Sequence, residues 1–197
     1  MVRISFFGVA LFLLFTVSAQ EEVYIRPGTL KASLTISPAK MLNRNANNIY
    51  LNGFIAYQLD KNVSLRGESF VFIPNAAKVG SWDVYKQQIK INAGAFYHRG
   101  IKNWDNYLGF QPGIQLFQTS TDTKYHVAPN FALKIGTCYY VWKYFHFFAD
   151  LTYMKASING IGGVSMQKAD ELIFSAGLGF QINTQKKEIV RTGHADF

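Results

Sequence analysis

The sequence predicts an all-β protein: an eight-stranded antiparallel up-and-down β-barrel that crosses a membrane, preceded by a signal peptide. Three observations predict it. Between Leu30 and Ile182 the chain holds eight segments of about ten residues in which apolar side chains alternate with polar or small ones, the period of a strand with two unlike faces. The connections between these segments alternate in length, short then long. The composition is poor in charge and rich in rings, 16 % of each, where a soluble domain carries roughly a quarter charged residues. At 197 residues there is room for one domain or two small ones.

The first nineteen residues read as an export address. Arg3 supplies the positive start, Ile4 to Val17 is an apolar run, and Val17-Ser18-Ala19 offers small residues for cleavage. The run falls short of the roughly 20 residues a spanning helix needs, and polar Gln20-Glu21-Glu22 follows at once. Residues 1–19 are therefore expected to be removed, with residues 20–29 left as a short N-terminal segment on the periplasmic side. Loss of Arg3 leaves 19 basic against 12 acidic residues, a net charge of +7 in place of +8. No later stretch is apolar enough to span as a helix, so a membrane protein built from the remainder must be a closed barrel.

The eight strands are expected near 29–37, 49–59, 63–73, 85–97, 104–118, 124–140, 144–155 and 171–182. In the third, Val63, Leu65, Val71 and Ile73 oppose Ser64, Arg66, Glu68, Phe70 and Phe72; in the last, Leu172, Phe174, Ala176, Leu178, Phe180 and Ile182 oppose Ser175, Gly177, Gly179 and Gln181. Pro112 in the fifth segment points to a bulge. The short connections are Asp60–Asn62, His98–Asn103 and Val141–Lys143; the longer ones are 38–48, 74–84, 119–123 and 156–170. Short periplasmic turns and long external loops joining an even number of strands fit a barrel with both chain ends on the periplasmic side.

On the apolar face, Tyr57, Tyr97, Trp104, Tyr139, Phe145 and Phe180 fall near the short turns, and Tyr85, Tyr125 and Tyr153 near the long loops. Two such belts are what amphipathic rings form at the two interfaces of a bilayer. A soluble barrel or sandwich would turn its apolar face inward and need a richly charged outer face. Here the second face offers Ser, Thr, Gly, Asn and Gln with few charges.

By the same alternation Lys31, Arg66, Glu68, Lys90, Lys134 and Asp150 point into the lumen. Eight strands leave an interior just wide enough to be filled by side chains, so a charged plug is expected rather than an open pore. A turn centred on Trp142 places Lys134 directly opposite Asp150 as an ion pair, and His146 opposite Cys138.

The chain resembles the small eight-stranded outer-membrane β-barrel proteins of Gram-negative bacteria, in particular their barrel-only members. The likeness covers residues 30–182 as an architecture. Its sharpest local match is Ser175-x-Gly177-x-x-Phe180-x-Ile182, similar to the terminal-strand signal read by the barrel assembly machinery. In the family that signal usually ends the chain; here a polar tail, residues 183–197, follows it, too short for the peptidoglycan-binding domain some relatives carry. The resemblance implies residence in the outer membrane, with outer-membrane lipid and the assembly machinery as partners.

Other chemistries find little support. Cys138 alone excludes an internal disulfide and any multi-cysteine zinc site. His146 and Asp150 share a face but stand about 13 Å apart along a strand, too far to bond. His126, beside Thr121–Thr123, completes no hydrolase motif, and His194 reads as a solvated tail residue. Gly160-Ile161-Gly162-Gly163 lacks the Lys-Ser or Lys-Thr of a phosphate loop. The basic residues form no stripe, which argues against nucleic acid; Lys40, Arg44, Lys78 and Lys168 in the long connections are placed to meet lipid phosphates or solvent. The expected protein is a structural or surface-interacting outer-membrane barrel with an unidentified extracellular partner at its loops, no catalytic constellation and no cofactor or metal. The alternatives are a small barrel enzyme that modifies lipid, a narrow selective conduit, and a soluble secreted barrel that binds a small ligand.

Overall fold

Alternating β-branched, aromatic and small residues carry the chain back and forth in long strands, and the computed structural model describes residues 27–43, 46–74, 85–119, 124–158 and 167–185. The strands are β1 (Thr29–Met41), β2 (Asn47–Gln58), β3 (Val63–Phe72), β4 (Tyr85–Ile101), β5 (Trp104–Thr119), β6 (His126–Tyr140), β7 (Phe145–Ile158), β8 (Gln167–Lys168) and β9 (Glu171–Asn183). Each long strand pairs antiparallel with the next, β9 pairs with β7, and β1 pairs with β9, so eight strands close into a barrel. The two-residue β8 only extends the edge of β7. Thr29 opposes Asn183, which sets both described ends of the chain beside the short turns. The expected signal peptide, most of the N-terminal segment, the tail from 186, Arg44, Lys78, Thr121–Thr123, Gly160–Gly163 and His194 lie outside the described residues.

The barrel is inside-out relative to a soluble protein. Leu34 is 67 % exposed, Ile36 62 %, Leu108 60 % and Ile135 59 %, while Lys134, Asp105 and Glu171 are fully buried. An apolar band of this kind, on a sheet with no free edge, suits hydrocarbon as solvent, because each long strand has a paired neighbour on both sides. No helix occurs among the described residues.

Several sequence expectations are corrected. Tyr85 is not a lipid-facing belt residue: it is buried, its ring edge-on to Phe117 at 5.7 Å. A bulge between Tyr85 and Gln87 sends Lys86 and Gln87 both outward, which reverses the alternation at the start of β4. His98 does not open a turn. β4 continues through it to Ile101, and β4 and β5 join through Lys102-Asn103 alone, with Lys102 at φ 55°, the positive angle that two-residue hairpin turns favour. Between β6 and β7 the loop is Val141–Tyr144, one residue longer than expected. That slips the register by two, so Asp150 opposes Gly136, Lys134 opposes Thr152, and His146 opposes Tyr140 in place of Cys138.

Pro112 causes no bulge. The β4–β5 ladder keeps one register from Asn92↔Gly113 to Ala95↔Phe110 and skips only the pairs between. Pro38 has a larger effect at the closing seam. The β1–β9 ladder is absent from Leu34 to Pro38 and resumes at Ala39↔Ile173. Leu42 N donates to Asp170 O across this seam, so the even-numbered residues of β1 turn their N–H toward β9, and Pro38 has none to give. Side chains span the gap instead: Thr35 Oγ1 donates to Ala176 O at 2.6 Å, and Ser37 and Ser175 hydroxyls bond at 2.7 Å.

Candidate functional site

The interior is stacked in levels from the turn end to the loop end. Nearest the turns, Lys31, Ser64, His98, Asp105 and Tyr140 share one network. His98 Nδ1 lies 2.9 Å from Asp105 Oδ2, His98 Nε2 2.7 Å from Ser64 Oγ, and Tyr140 donates to Asp105 at 2.9 Å. Lys31 Nζ contacts both Asp105, at 3.4 Å, and the Tyr140 hydroxyl. Phe54, Phe96, Tyr107 and Phe148 pack beside this level.

At mid-height the charges form a closed cluster. Arg66 bonds Glu68 at 3.1 Å and Asp150 at 2.8 Å, and Lys134 bonds Glu68 at 2.7 Å and Asp150 at 3.3 Å. Tyr107 donates a further bond to Asp150. The Lys134–Asp150 pair thus exists as a diagonal contact, not as a directly opposed pair. The Arg66 guanidinium also covers the Phe54 ring at 3.6 Å, a cation–π contact in a site without bulk water. Above it, Glu171 accepts from Lys90 at 2.5 Å, Tyr50 at 2.9 Å and Asn48 at 3.0 Å. The loop end is apolar, with Met41, Tyr85, Phe117, Ala128, Ala156 and Ala169.

Among the described residues four cations (Lys31, Arg66, Lys90, Lys134) and four anions (Glu68, Asp105, Asp150, Glu171) are buried. The sequence list of six lumen charges held only two of these anions. That imbalance was itself the missed signal, since unpaired charge in a low-dielectric interior is costly and two more carboxylates had to face it. His146 is fully buried, and neither ring nitrogen has a hydrogen-bond partner among the described residues. Cys138 is a buried free thiol. No group of three or more His, Cys, Asp or Glu among the described residues could hold a metal.

Outside, Tyr57, Tyr97, Trp104, Phe145 and Phe180 are exposed at the turn end, and Tyr139 packs half-buried on Trp104 at 4.9 Å. At the loop end Tyr125 is exposed and Tyr153 donates to Asp170 at 3.2 Å. Of the terminal-strand residues, Ser175 and Gly177 point inward while Phe180 and Ile182 point to the exterior.

No family model matches the chain, and no curated protein matches it. Solved structures do. The N-terminal β-barrel domain of Pseudomonas aeruginosa OprF superposes with a TM-score of 0.53 at 15 % identity, over 79 % of this chain and 98 % of that one. The fold is that of the small outer-membrane β-barrels. The outer membrane protein OprG of Pseudomonas aeruginosa gives a TM-score of 0.55 at 13 % identity, over 82 % of this chain and all of that one. Neisserial surface protein A gives 0.55 at 13 % identity, over 79 % and 96 %. At such identities the likeness to these outer-membrane barrels rests on architecture, and the lumen residues are this chain's own.

Proposed function

We propose that this protein is an integral outer-membrane barrel whose ion-paired lumen is a sealed structural plug, and whose role is structural and surface-interactive. The Arg66–Glu68–Lys134–Asp150 cluster carries this reading. It joins β3 to β6 and β7 across the lumen, all four residues are at most 4 % exposed, and each charge has at least two partners of opposite sign. A permeant ion would have to separate paired charges inside a barrel that its own side chains can fill.

With the lumen closed, recognition falls to the connections at the loop end, where loops on a rigid scaffold carry binding. Outer-membrane lipid surrounds the apolar band, and the assembly machinery reads Ser175, Gly177, Phe180 and Ile182. An unidentified extracellular partner meets the loops; no basic stripe supports a nucleic-acid partner. The test is electrical. Purified protein in a planar bilayer with concentrated potassium chloride is expected to give no discrete conductance. A stable open-channel current that grows with inserted protein would overturn the sealed lumen.

A further inference from the structure

We infer that Ser64, His98 and Asp105 form a nucleophilic triad, buried near the turn end of the barrel, that transfers short acyl groups, of acetyl size, from esters to water. This goes beyond the structural reading above. The three residues lie on adjacent strands β3, β4 and β5. Ser64 opposes Phe96 and His98 opposes Tyr107, so each triad member is the diagonal, two-residue neighbour of the next, within reach of long side chains. The barrel's slant thereby lines up three inward positions.

The bonds are those a serine nucleophile needs. Ser64 Oγ lies 2.7 Å from His98 Nε2, and His98 Nδ1 lies 2.9 and 3.1 Å from the two Asp105 oxygens. With Nδ1–H donated to the carboxylate, Nε2 is left to accept the serine proton. Asp105 is itself fixed by Lys31 and Tyr140.

Two further observations set the triad apart from a polar network that only fills space. A cavity of about 20 Å³ has Ser64 and His98 in its wall, together with apolar Phe54, Ala56 and Phe96 and the cations Lys31 and Arg66. A single water needs roughly 10–15 Å³ by the same measure, so the space takes a methyl-sized group and little more. Arg66 is 4 % exposed, and its Nε has no hydrogen-bond partner among the described residues. A preformed donor in a water-poor site is what a developing oxyanion requires. Ser64 is 2 % exposed and His98 5 %, and Ser64 is the second residue of β3, so the shortest way in for an ester is from the side of the turns.

In the reaction Ser64 Oγ attacks the ester carbonyl carbon, its proton passes to His98 Nε2, and the carbonyl electron pair moves onto oxygen facing Arg66 and Lys31. The C–O bond to the leaving alcohol then breaks, and His98 returns the proton to that alcohol. Water repeats the sequence on the acyl-serine, releasing acetate and restoring Ser64.

The test uses the full chain refolded in detergent micelles and methanesulfonyl fluoride, whose reactive group matches the cavity and which sulfonylates serine with loss of fluoride. The expected result is one adduct, mapped to Ser64, formed faster than with phenylmethanesulfonyl fluoride. Hydrolysis of p-nitrophenyl acetate is expected to outrun that of p-nitrophenyl octanoate. Ser64→Ala removes both activities, and Asp105→Asn slows them by about 10²–10⁴-fold. The heat-dependent mobility shift of each variant reports whether its barrel is folded; Ser64→Ala loses one oxygen and is expected to keep it. A folded native barrel with no adduct on Ser64, or an adduct that forms equally fast in folded His98→Gln, overturns the triad.

Discussion

Asp150→Asn isolates the charge at the centre of the lumen while keeping the shape of the side chain. Asp150 accepts from Arg66 at 2.8 Å, from Lys134 at 3.3 Å, and from Tyr107. In the variant Glu68 becomes the only carboxylate in the cluster for two cations, and the buried charges change from four against four to four cations against three anions. Breaking a buried pair by removing one partner costs about 3–5 kcal/mol. With a urea dependence of about 2 kcal/mol per molar, this lowers the unfolding midpoint by about 1.5–2.5 M. Lys134→Met alone leaves an excess anion and costs a similar amount. The double variant restores neutrality, so it is expected to lose no more than either single variant. The assay is reversible urea unfolding in lipid vesicles, followed by tryptophan fluorescence and by the folded-band mobility. A native-like midpoint in Asp150→Asn, or a double variant whose loss equals the sum of the singles, would refute the coupling argument.

The wall makes further predictions. A Cβ at Gly94 would run into the Phe110 carbonyl oxygen and come within 2.7 Å of Gln111 Cα, backbone that cannot step aside, whereas a Cβ at Gly67 would meet no atom within 4 Å. Gly94→Ala is therefore expected to lose the heat-resistant folded band and Gly67→Ala to keep it. Pro38→Val gives β1 an N–H facing β9 and is expected to stabilise the barrel by about 0.5–1.5 kcal/mol, with slower amide exchange at residues 174–178; unchanged exchange would show that the proline does not cause the gap. In a Trp82→Phe, Trp142→Phe variant, the remaining Trp104 is expected to be quenched more by bromines near the lipid headgroups than by bromines deep in the acyl chains.

The strand count and the facing of the lumen were legible because a period of two is local information, and a residue such as Arg66 declares its face through its own neighbours. Tyr85 was misplaced because the bulge at Gln87 adds a residue with no compositional mark. The β6–β7 register depended on whether the turn holds three residues or four, and Val141–Tyr144 contains no Gly, Pro, Asn or Asp to fix its form. Asp105 stands on the polar side of the alternation in β5, yet its meeting with His98 and Ser64 was not legible. That meeting requires β4 to run on through His98, which the residues His98–Asn103 disguise as a loop. Glu171 was passed over because it stands at the first position of its strand, where alternation has not yet begun to speak.

The placement of the lumen charges along the chain bears on how the barrel comes together. The first four strands bring three interior cations and one anion, and the last four, β5 to β7 with β9, bring one cation and three anions. Each half holds one internal pair, Arg66–Glu68 in the first and Lys134–Asp150 in the last, and is left with a net charge of two that the other half neutralises. Two copies of the same half would therefore repel across the shared lumen, whereas a first half and a last half made as separate fragments attract. The charge pattern thus selects against domain-swapped assemblies that join like halves, and it makes ring closure and charge neutralisation a single event.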